Sequence, residues 1–281
     1  MISLRPLEYN PRMPSRERVY RTEAVVLRRQ ELGEADRLLT IYTPGYGKLR
    51  VVAKGVRRPR SRKAGHLELF SRGDLLLARG RDLDVVTQAE AVDLFPGLRD
   101  DLVRLGHAAY AVEVLDCFAV TEENRPLYRL LVETLGRLSE GADPAVVVRH
   151  YELRLLEQVG YRPELFRCVG CGREIRPENQ SWSAREGGVL CPQCGPGRRD
   201  ARPISLGGLK VLRYYQRNSF DQVAEISVSR AVQAELETLM EGYLTHVLER
   251  RLKTPDFIQR VRALVAQKVP AVETAEARGE G

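Results

Sequence analysis

The chain has 281 residues, 43% of them hydrophobic and 30% charged, and this composition can bury a core, which excludes an intrinsically disordered protein. No window approaches 18 consecutive apolar residues and the N-terminus lacks an apolar signal segment, so we expect a cytoplasmic protein without a transmembrane helix. The formal net charge of +7 lies entirely in residues 1–97, which hold 19 Lys and Arg against 12 Asp and Glu, whereas residues 98–281 hold 26 of each.

The first third of the chain predicts a short extension followed by a β domain. Residues 1–18 are polar, contain three prolines and show no periodicity, so we expect a flexible extension. Residues 19–96 contain short apolar runs at roughly ten-residue spacing, which is typical of strands in a small β-barrel. The predicted strands are 19–27, 37–43, 48–54, 67–70, 75–78 and 84–92. The spacing alone leaves open an SH3-like barrel or a small sandwich.

The most basic segment is residues 48–63, KLRVVAKGVRRPRSRK, with eight cations and no acidic residue: Lys48, Arg50, Lys54, Arg57, Arg58, Arg60, Arg62 and Lys63. Gly55 and Pro59 predict a loop in its second half, and such a cluster binds nucleic-acid phosphates by releasing their counterions. Tyr42 and Tyr46 lie close by and could stack on bases, or serve as turn or core residues. A solvated charged face and attraction to an anionic membrane are the other interpretations of this segment.

From residue 98 the apolar period changes from that of strands to that of helices. Apolar residues at spacings of three and four predict helices around 98–115, 127–138, 148–159, 209–216 and 230–252. We therefore expect a helical domain over residues 97–264 and a disordered tail over residues 265–281.

Four cysteines follow the third helix as two CxxC pairs separated by 19 residues: Cys168, Cys171, Cys191 and Cys194. Nearby glycines allow tight turns from which four thiolates can converge on one zinc ion, and four thiolates leave no open position for catalysis. The pattern predicts one structural Zn²⁺ per chain in an insert over residues 166–198, with a hairpin over 181–190. Two redox-active pairs and a knuckle without metal are the alternatives, although no thioredoxin-like context surrounds the cysteines.

Motifs of enzymatic chemistry are missing from the sequence. The glycine and hydroxyl positions of a phosphate-binding loop are not met around Lys48, and no ligase Lys-x-Asp-Gly occurs. The four histidines follow no triad or metal spacing, and neither HExxH nor GxSxG is present. We therefore predict no catalytic residue, although the carboxylate clusters of nucleases need no fixed motif.

Two stretches resemble a known family. The run GEADRLLTIYT at residues 33–43, followed by Gly47 and by AKGVRR at residues 53–58, resembles the N-terminal signature of bacterial RecO, a family of recombination mediators in DNA repair. The order of barrel, helices, cysteine insert and further helices agrees over residues 19–264. Residues 1–18 depart from the family, in which the first strand lies near the terminus.

The resemblance implies an α+β multidomain protein with an oligonucleotide-binding (OB) fold at residues 19–96, followed by the helical domain with its inserted four-cysteine zinc module. It places Arg37 and the eight cations of residues 48–63 where the family contacts DNA. It also matches the four cysteines to the zinc motif of zinc-bearing members.

The resemblance implies an activity without ATP. Members bind single- and double-stranded DNA, anneal complementary strands and, with RecR, help to load RecA onto DNA coated by single-strand-binding protein, whose C-terminal tail is a further partner. This is gap repair by the RecF-type pathway, at the bacterial nucleoid. A nuclease or ligase-like zinc enzyme and an RNA-binding factor remain the alternatives.

Overall fold

The computed structural model describes residues 18–268. Most of the predicted extension (1–17) and most of the predicted tail (269–281) lie outside these described residues. Within them, no helix has both the length and the hydropathy to cross a bilayer.

Five strands form a small barrel at the N-terminal end: β1 (Val19–Leu32), β2 (Asp36–Thr43), β3 (Gly47–Ala53), β4 (Arg72–Ala78) and β5 (Asp84–Asp93). Antiparallel pairs join β1 to β2 and β4, β2 to β3, and β4 to β5. The ring closes where β3 and β5 run parallel, through Val51 opposite Asp84 and Val52 opposite Val85. This mixed five-stranded ring with a short closing seam is the predicted OB-fold, and it excludes the alternative sandwich.

Alternation along β3 separates a barrel interior from an outer basic face. Leu49, Val51 and Ala53 pack inside, whereas Lys48 and Arg50 point outward. Lys48 and Arg50 therefore share one face of the strand.

The strand predicted at residues 67–70 is wrong. A single 3₁₀ turn, Ala64–His66, precedes this segment, and Phe70 has a left-handed backbone (φ 67°) that no strand accommodates. The amide of Phe70 donates to the Val26 carbonyl and the Val26 amide to the Ser71 carbonyl, which fixes the segment against β1 beside a bulge. The Leu67 side chain fills the barrel, and Phe70 faces the helices.

Up to residue 268, where the description ends, seven α-helices follow: α1 (Leu102–Phe118), α2 (Arg125–Glu140), α3 (Pro144–Gln158), α4 (Leu206–Arg217), α5 (Phe220–Ala224), α6 (Arg230–Leu248) and α7 (Thr254–Lys268). The side chains of Asp101, Asn124 and Asp143 accept backbone N–H groups at the starts of α1, α2 and α3. Several boundaries differ from prediction: β1 extends to Leu32, and α1 begins at Leu102 because Leu98 lies in a separate 3₁₀ turn. Helix α6 ends four residues earlier than residue 252, because Glu249 is left-handed (φ 53°), and α7 includes residues 265–268 of the predicted tail.

The barrel has its own apolar core, and its outer side contributes further residues to the core of the helical domain. Four residues on the outer side of the barrel pack into the core of the helical domain: Val25, Leu27, Tyr42 and Phe70. Tyr42 is 1% exposed, and its ring centroid lies 6.3 Å from that of Tyr128 on α2. Tyr42 is therefore a core residue and not a base-stacking surface, so that interpretation of it was wrong.

The cysteine insert carries a three-stranded sheet formed by β6 (Gln180–Ser183), β7 (Gly188–Leu190) and β8 (Ala201–Ile204). The predicted hairpin is confirmed, because Ser183 pairs with Gly188 across the turn. No sequence pattern indicated β8, which follows the predicted insert and pairs with the other edge of β6.

Candidate metal centre and nucleic-acid interface

The four cysteines predicted as zinc ligands converge on one point. Their sulfur atoms all lie within 4.8 Å of one another, and Cys171 Sγ lies 3.9 Å from Cys191 Sγ. A tetrahedral thiolate site with zinc–sulfur bonds of about 2.3 Å separates its sulfur atoms by about 3.8 Å. Among the residues that the structure describes, these four could hold a metal ion, and their spacing fits zinc.

The backbone of each CxxC pair forms a tight turn. The Gly172 amide donates to the Cys168 carbonyl at 2.7 Å, and the Cys194 amide donates to the Cys191 carbonyl at 3.0 Å. A Cβ atom on Gly170 would lie 3.1 Å from the Cβ of Cys194. Glycine at this position therefore lets the two turns approach closely enough for all four sulfurs to meet.

The electrostatics of the cluster favour a bound cation. A hydrogen bond from Arg173 lowers the pKa of Cys171 to about 6, whereas the thiol–thiol hydrogen bond with Cys191 raises the pKa of Cys194 to about 12. Four crowded thiolates repel one another, so the cluster carries its full charge only when a cation compensates it.

The cysteine module is continuous with the helical core. Trp182 of β6 is 1% exposed and meets the ring of Tyr243 on α6 edge-on, with centroids 5.5 Å apart. The Tyr243 hydroxyl donates to the Tyr161 carbonyl at 2.9 Å, and the Val189 amide donates to the Glu164 carbonyl at 2.9 Å. A metal ion held by the four cysteines would therefore support the helical domain as well as the module.

The structure divides the nine predicted DNA-binding cations into two groups. Residues 54–63, which we call the arginine loop, leave the barrel after β3 and run beside the hairpin between β1 and β2, where the Arg57 amide donates to the Ala35 carbonyl. Five cations are exposed and form no ion pair with the described part of the chain: Arg50, Lys54, Arg58, Arg60 and Arg62.

The other four cations form ion pairs or hydrogen bonds with groups of the protein itself. Arg37 lies 3.5 Å from a Glu68 carboxylate oxygen, and Arg57 lies 3.2 Å from one of Glu31. The Lys48 ammonium donates to the Asp116 carbonyl at 2.7 Å and lies 3.3 Å from its carboxylate. The Lys63 ammonium donates to the Val86 carbonyl at 2.9 Å, and burial lowers its pKa.

The backbone of Lys48 also forms hydrogen bonds between the barrel and the helical domain. Its amide donates to the Val120 carbonyl at 2.9 Å, and its carbonyl accepts from the Thr121 hydroxyl at 3.2 Å. Lys48 therefore ties β3 to the end of α1, which orients the arginine loop on the helical domain.

Nothing in the sequence marks a second group of cations that the fold assembles. Arg28 and Arg29 on β1 face Arg250, Arg251 and Lys253, which follow α6, across one cleft. These residues come from opposite ends of the chain, so they form no charge run that a sequence pattern could show.

Two family models cover most of the chain. The model described as "Recombination protein O N terminal" matches residues 17–95, and that described as "Recombination protein O C terminal" matches residues 99–256. Their boundary coincides with the passage from barrel to helices, which supports the same division of the molecule.

Curated proteins named DNA repair protein RecO are similar over nearly the whole chain. The protein of Roseiflexus sp. (strain RS-1) is 45% identical over 257 residues, which cover 91% of this chain and 90% of that protein. The protein of Desulforudis audaxviator (strain MP104C) is 38% identical over 244 residues, which cover 86% of this chain and 97% of the relative. That of Desulforamulus reducens is 36% identical over 87% of this chain and 95% of its own. The chain therefore belongs to the RecO family of DNA repair proteins.

Proposed function

We propose that this chain is a non-enzymatic recombination mediator, which binds single- and double-stranded DNA through the arginine loop and anneals complementary strands. The observation that carries this proposal is the set of five exposed cations at residues 50–62, which have no acidic partner among the described residues. Such cations are free to exchange water and counterions for phosphates, whereas the four engaged cations would first have to leave their protein partners.

Annealing on this surface needs positioning and charge but no catalytic group. Two DNA strands repel each other through their phosphates, and a cationic surface lowers that repulsion while it raises the local concentration of both strands. A loop that contacts only the backbone accepts strands of any sequence, as a mediator requires.

The four cysteines would hold one structural Zn²⁺, which crosslinks the module and supplies no chemistry to the DNA. This assignment rests on the 3.9 Å sulfur separation and on a ligand set with no place for a reactive water. Metal therefore acts on DNA binding only through the fold.

The partners follow from membership of the family. We propose that the chain acts with RecR to help load RecA onto DNA coated by single-strand-binding protein, that it contacts the C-terminal tail of that protein, and that it works in the RecF-type pathway in the cytoplasm, at the nucleoid. No residue of this chain is assigned to these protein contacts.

A strand-annealing assay tests the proposal. Complementary strands labelled with a donor and an acceptor fluorophore are mixed with the full chain across a salt series, with and without single-strand-binding protein and without ATP. The triple variant Arg58→Glu, Arg60→Glu, Arg62→Glu should lose about 10- to 100-fold in DNA affinity and anneal correspondingly slowly, because each cation contributes to phosphate neutralisation.

The matched control reverses three exposed cations on the helices: Arg129→Glu, Lys210→Glu and Arg230→Glu. Their side chains form no hydrogen bond or ion pair within the described residues, so the control changes net charge equally and should anneal like the natural chain. Undiminished annealing by the loop variant contradicts the proposal. Metal-dependent cleavage or joining of the strands would favour the enzyme instead, and preference for structured RNA would favour the RNA-binding factor.

A further inference from the structure

A cleft runs between the barrel and the helical domain, outside the arginine loop. One wall is the end of β1 with Arg28 and Arg29, and the other is formed by α1 and by the segment that connects α6 to α7, with Arg250, Arg251 and Lys253. We call it the interdomain cleft. Its volume of about 530 Å³ gives room for several groups of an extended ligand.

Carboxylates near the cleft are shared between cations. Asp116 pairs with both Arg28 and Lys48, and Glu68 pairs with both Arg29 and Arg37. Each carboxylate can neutralise only one positive charge, so each of these clusters keeps a surplus of one.

The carboxylate that lines the cleft belongs to Glu113, and it is hydrogen-bonded to backbone amides. Glu113 accepts hydrogen bonds from the amides of Lys253 and Thr254, both at 2.9 Å, and from the Thr254 hydroxyl at 2.7 Å. It therefore caps the start of α7, where the helix dipole already favours a negative charge.

The three cations after α6 make no ion-pair contact within the described residues, although the Cys117 sulfur, with help from the nearby Asp116 and Glu113, raises the pKa of Arg250. Arg250, Arg251 and Lys253 are exposed, and none forms an ion pair with the residues that the structure describes. Within the described part of the chain, the Arg250 guanidinium forms one hydrogen bond, to the sulfur of Cys117. The cleft rim is thus strongly positive although the helical part of the chain has no net charge.

The cleft is also lined by apolar residues, of which Leu69 and Ala109 are half-buried and Leu27, Phe70 and Val112 are buried. Cations beside the small accessible apolar surface of Leu69 and Ala109 suit a single nucleic-acid strand, which binds mainly through its phosphates.

The cleft also connects with the arginine loop. Glu68 joins Arg29 to Arg37, and Arg37 is the strand partner of Ala53, the residue before the loop. Cations therefore continue from the loop along the end of the barrel into the cleft.

We propose that the interdomain cleft binds a second nucleic-acid strand through its phosphates while the arginine loop holds the first. The proposal rests on the proposed annealing function and deepens it, because annealing requires two like-charged strands on one protein. The loop supplies one cationic surface and the cleft another, so two strands can be bound side by side without competing for the same cations.

Co-binding of two non-complementary strands tests the proposal. A short donor-labelled oligothymidine is bound one-to-one to the full chain, and an acceptor-labelled oligothymidine is then added. The natural chain should give energy transfer, whereas the cleft variant Arg250→Glu, Arg251→Glu, Lys253→Glu should bind the first strand within about threefold of normal affinity but lose energy transfer. Because each phosphate contact contributes about 0.7 to the salt dependence for a single strand, the log–log slope of second-strand binding should fall by about 2.

The helical control triple, Arg129→Glu, Lys210→Glu and Arg230→Glu, matches the cleft variant in composition and charge. Energy transfer by the cleft variant equal to that of the natural chain, or an equal loss in the control triple, overturns the proposal. The milder variant Arg250→Gln, Arg251→Gln, Lys253→Gln avoids new acidic groups beside Glu113. If the glutamate variant is unfolded by circular dichroism, retained energy transfer in the glutamine variant overturns the proposal.

The loop variant distinguishes a failure of the second-strand site from a failure of the proposed annealing function. If Arg58→Glu, Arg60→Glu, Arg62→Glu anneals normally, the loop assignment fails while the cleft can still be judged by its own variant. If the loop variant loses first-strand binding and the cleft variant co-binds normally, only the second-strand site fails.

Discussion

The arginine loop and the buried core of the helical domain use charged side chains in opposite ways. In the loop, Arg58, Arg60 and Arg62 are exposed and unpaired among the described residues. In the helical domain, Arg149 and Glu152 of α3 pair with each other while their side chains are 9% and 1% exposed, and the hydroxyl of Tyr110 also donates to Glu152.

The difference shows which charges are available to a partner. An unpaired cation at the surface keeps its hydration and can exchange it for a phosphate, but it adds little to folding stability. A buried pair must keep both members, because removal of one leaves the other charged and desolvated. Substitutions in the loop should therefore change DNA binding with the fold intact, whereas substitutions in the buried Arg149–Glu152 pair should change stability first.

The largest expected effect is at the cysteine cluster. Cys168→Ser should abolish stoichiometric metal binding and lower the unfolding temperature of the full chain, because metal binding to such sites contributes about 10–16 kcal/mol in small zinc peptides and is coupled to folding. Metal analysis and thermal unfolding, each with and without chelator, measure this.

Cys117→Ser is the control for that experiment. The Cys117 thiol donates to the Glu113 carbonyl at 3.0 Å, and a serine hydroxyl can keep this hydrogen bond. Metal content near zero in the natural chain, prepared without chelator, would show that the cluster is not a zinc site.

The next effect in size is at the buried pair. Arg149→Met leaves the Glu152 carboxylate buried without its cation and should cost about 3–5 kcal/mol in the free energy of unfolding. The double variant Arg149→Met, Glu152→Leu removes both charges and should regain most of that loss. Urea unfolding measures both, and a double variant as unstable as the single one would show that packing, not charge, causes the loss. DNA affinity of the folded fraction should stay normal, in contrast to the loop variant.

A pH effect of intermediate size is expected from His150 on α3. Its ring packs edge-on against Phe220, and burial, with help from Arg154, lowers its pKa to about 4. Because the unfolded chain binds this proton near pH 6.5, stability present above that pH should be lost as pH falls from 6.5 to 4, by about 1–3 kcal/mol. Burial raises the pKa of Glu152 to about 7, which acts in the opposite direction, since stability then falls as pH rises from about 4.5 to 7.

The variant His150→Leu isolates the histidine contribution. The free energy of unfolding of the natural chain minus that of this variant should decrease with falling pH, because only the natural chain has the histidine. His246→Gln, at an exposed position of α6, serves as the control. A pH-independent difference would mean that His150 does not titrate in this window. Urea midpoints at several pH values give the comparison.

Features encoded over short stretches of chain could be predicted from the sequence. Period-two and period-three-to-four patterns located the barrel strands and five helices, and the CxxC spacing identified four residues that the fold brings within 4.8 Å. In each case the residues that form the sequence pattern are the same residues that form the strand, the helix or the cysteine cluster.

Features that depend on distant partners could not be predicted. Lys48 belongs to the basic run by sequence, but its partner Asp116 lies on a helix outside the barrel. The sequence leaves open whether Tyr42 stacks on bases or packs in the core, and its contact with Tyr128 on α2 decides for the core. The closing pairs between β3 and β5 join strands that no local pattern connects. The cations of the interdomain cleft are the clearest case, because only the fold brings Arg28 near Arg250.

The smallest expected effect tests, within the N-terminal domain, whether paired and unpaired arginines differ in DNA binding. Arg37→Gln should change DNA affinity by less than about twofold, because Arg37 is paired with Glu68 and its side chain is 23% exposed. Arg60→Gln makes the same chemical change at an unpaired position and should weaken binding by about two- to fivefold, as expected for one lost phosphate contact. Fluorescence anisotropy with a labelled single strand compares the two. An Arg37 effect equal to that of Arg60 would mean that DNA draws Arg37 away from Glu68, and that ion pairing in the free protein does not decide which cations meet the backbone.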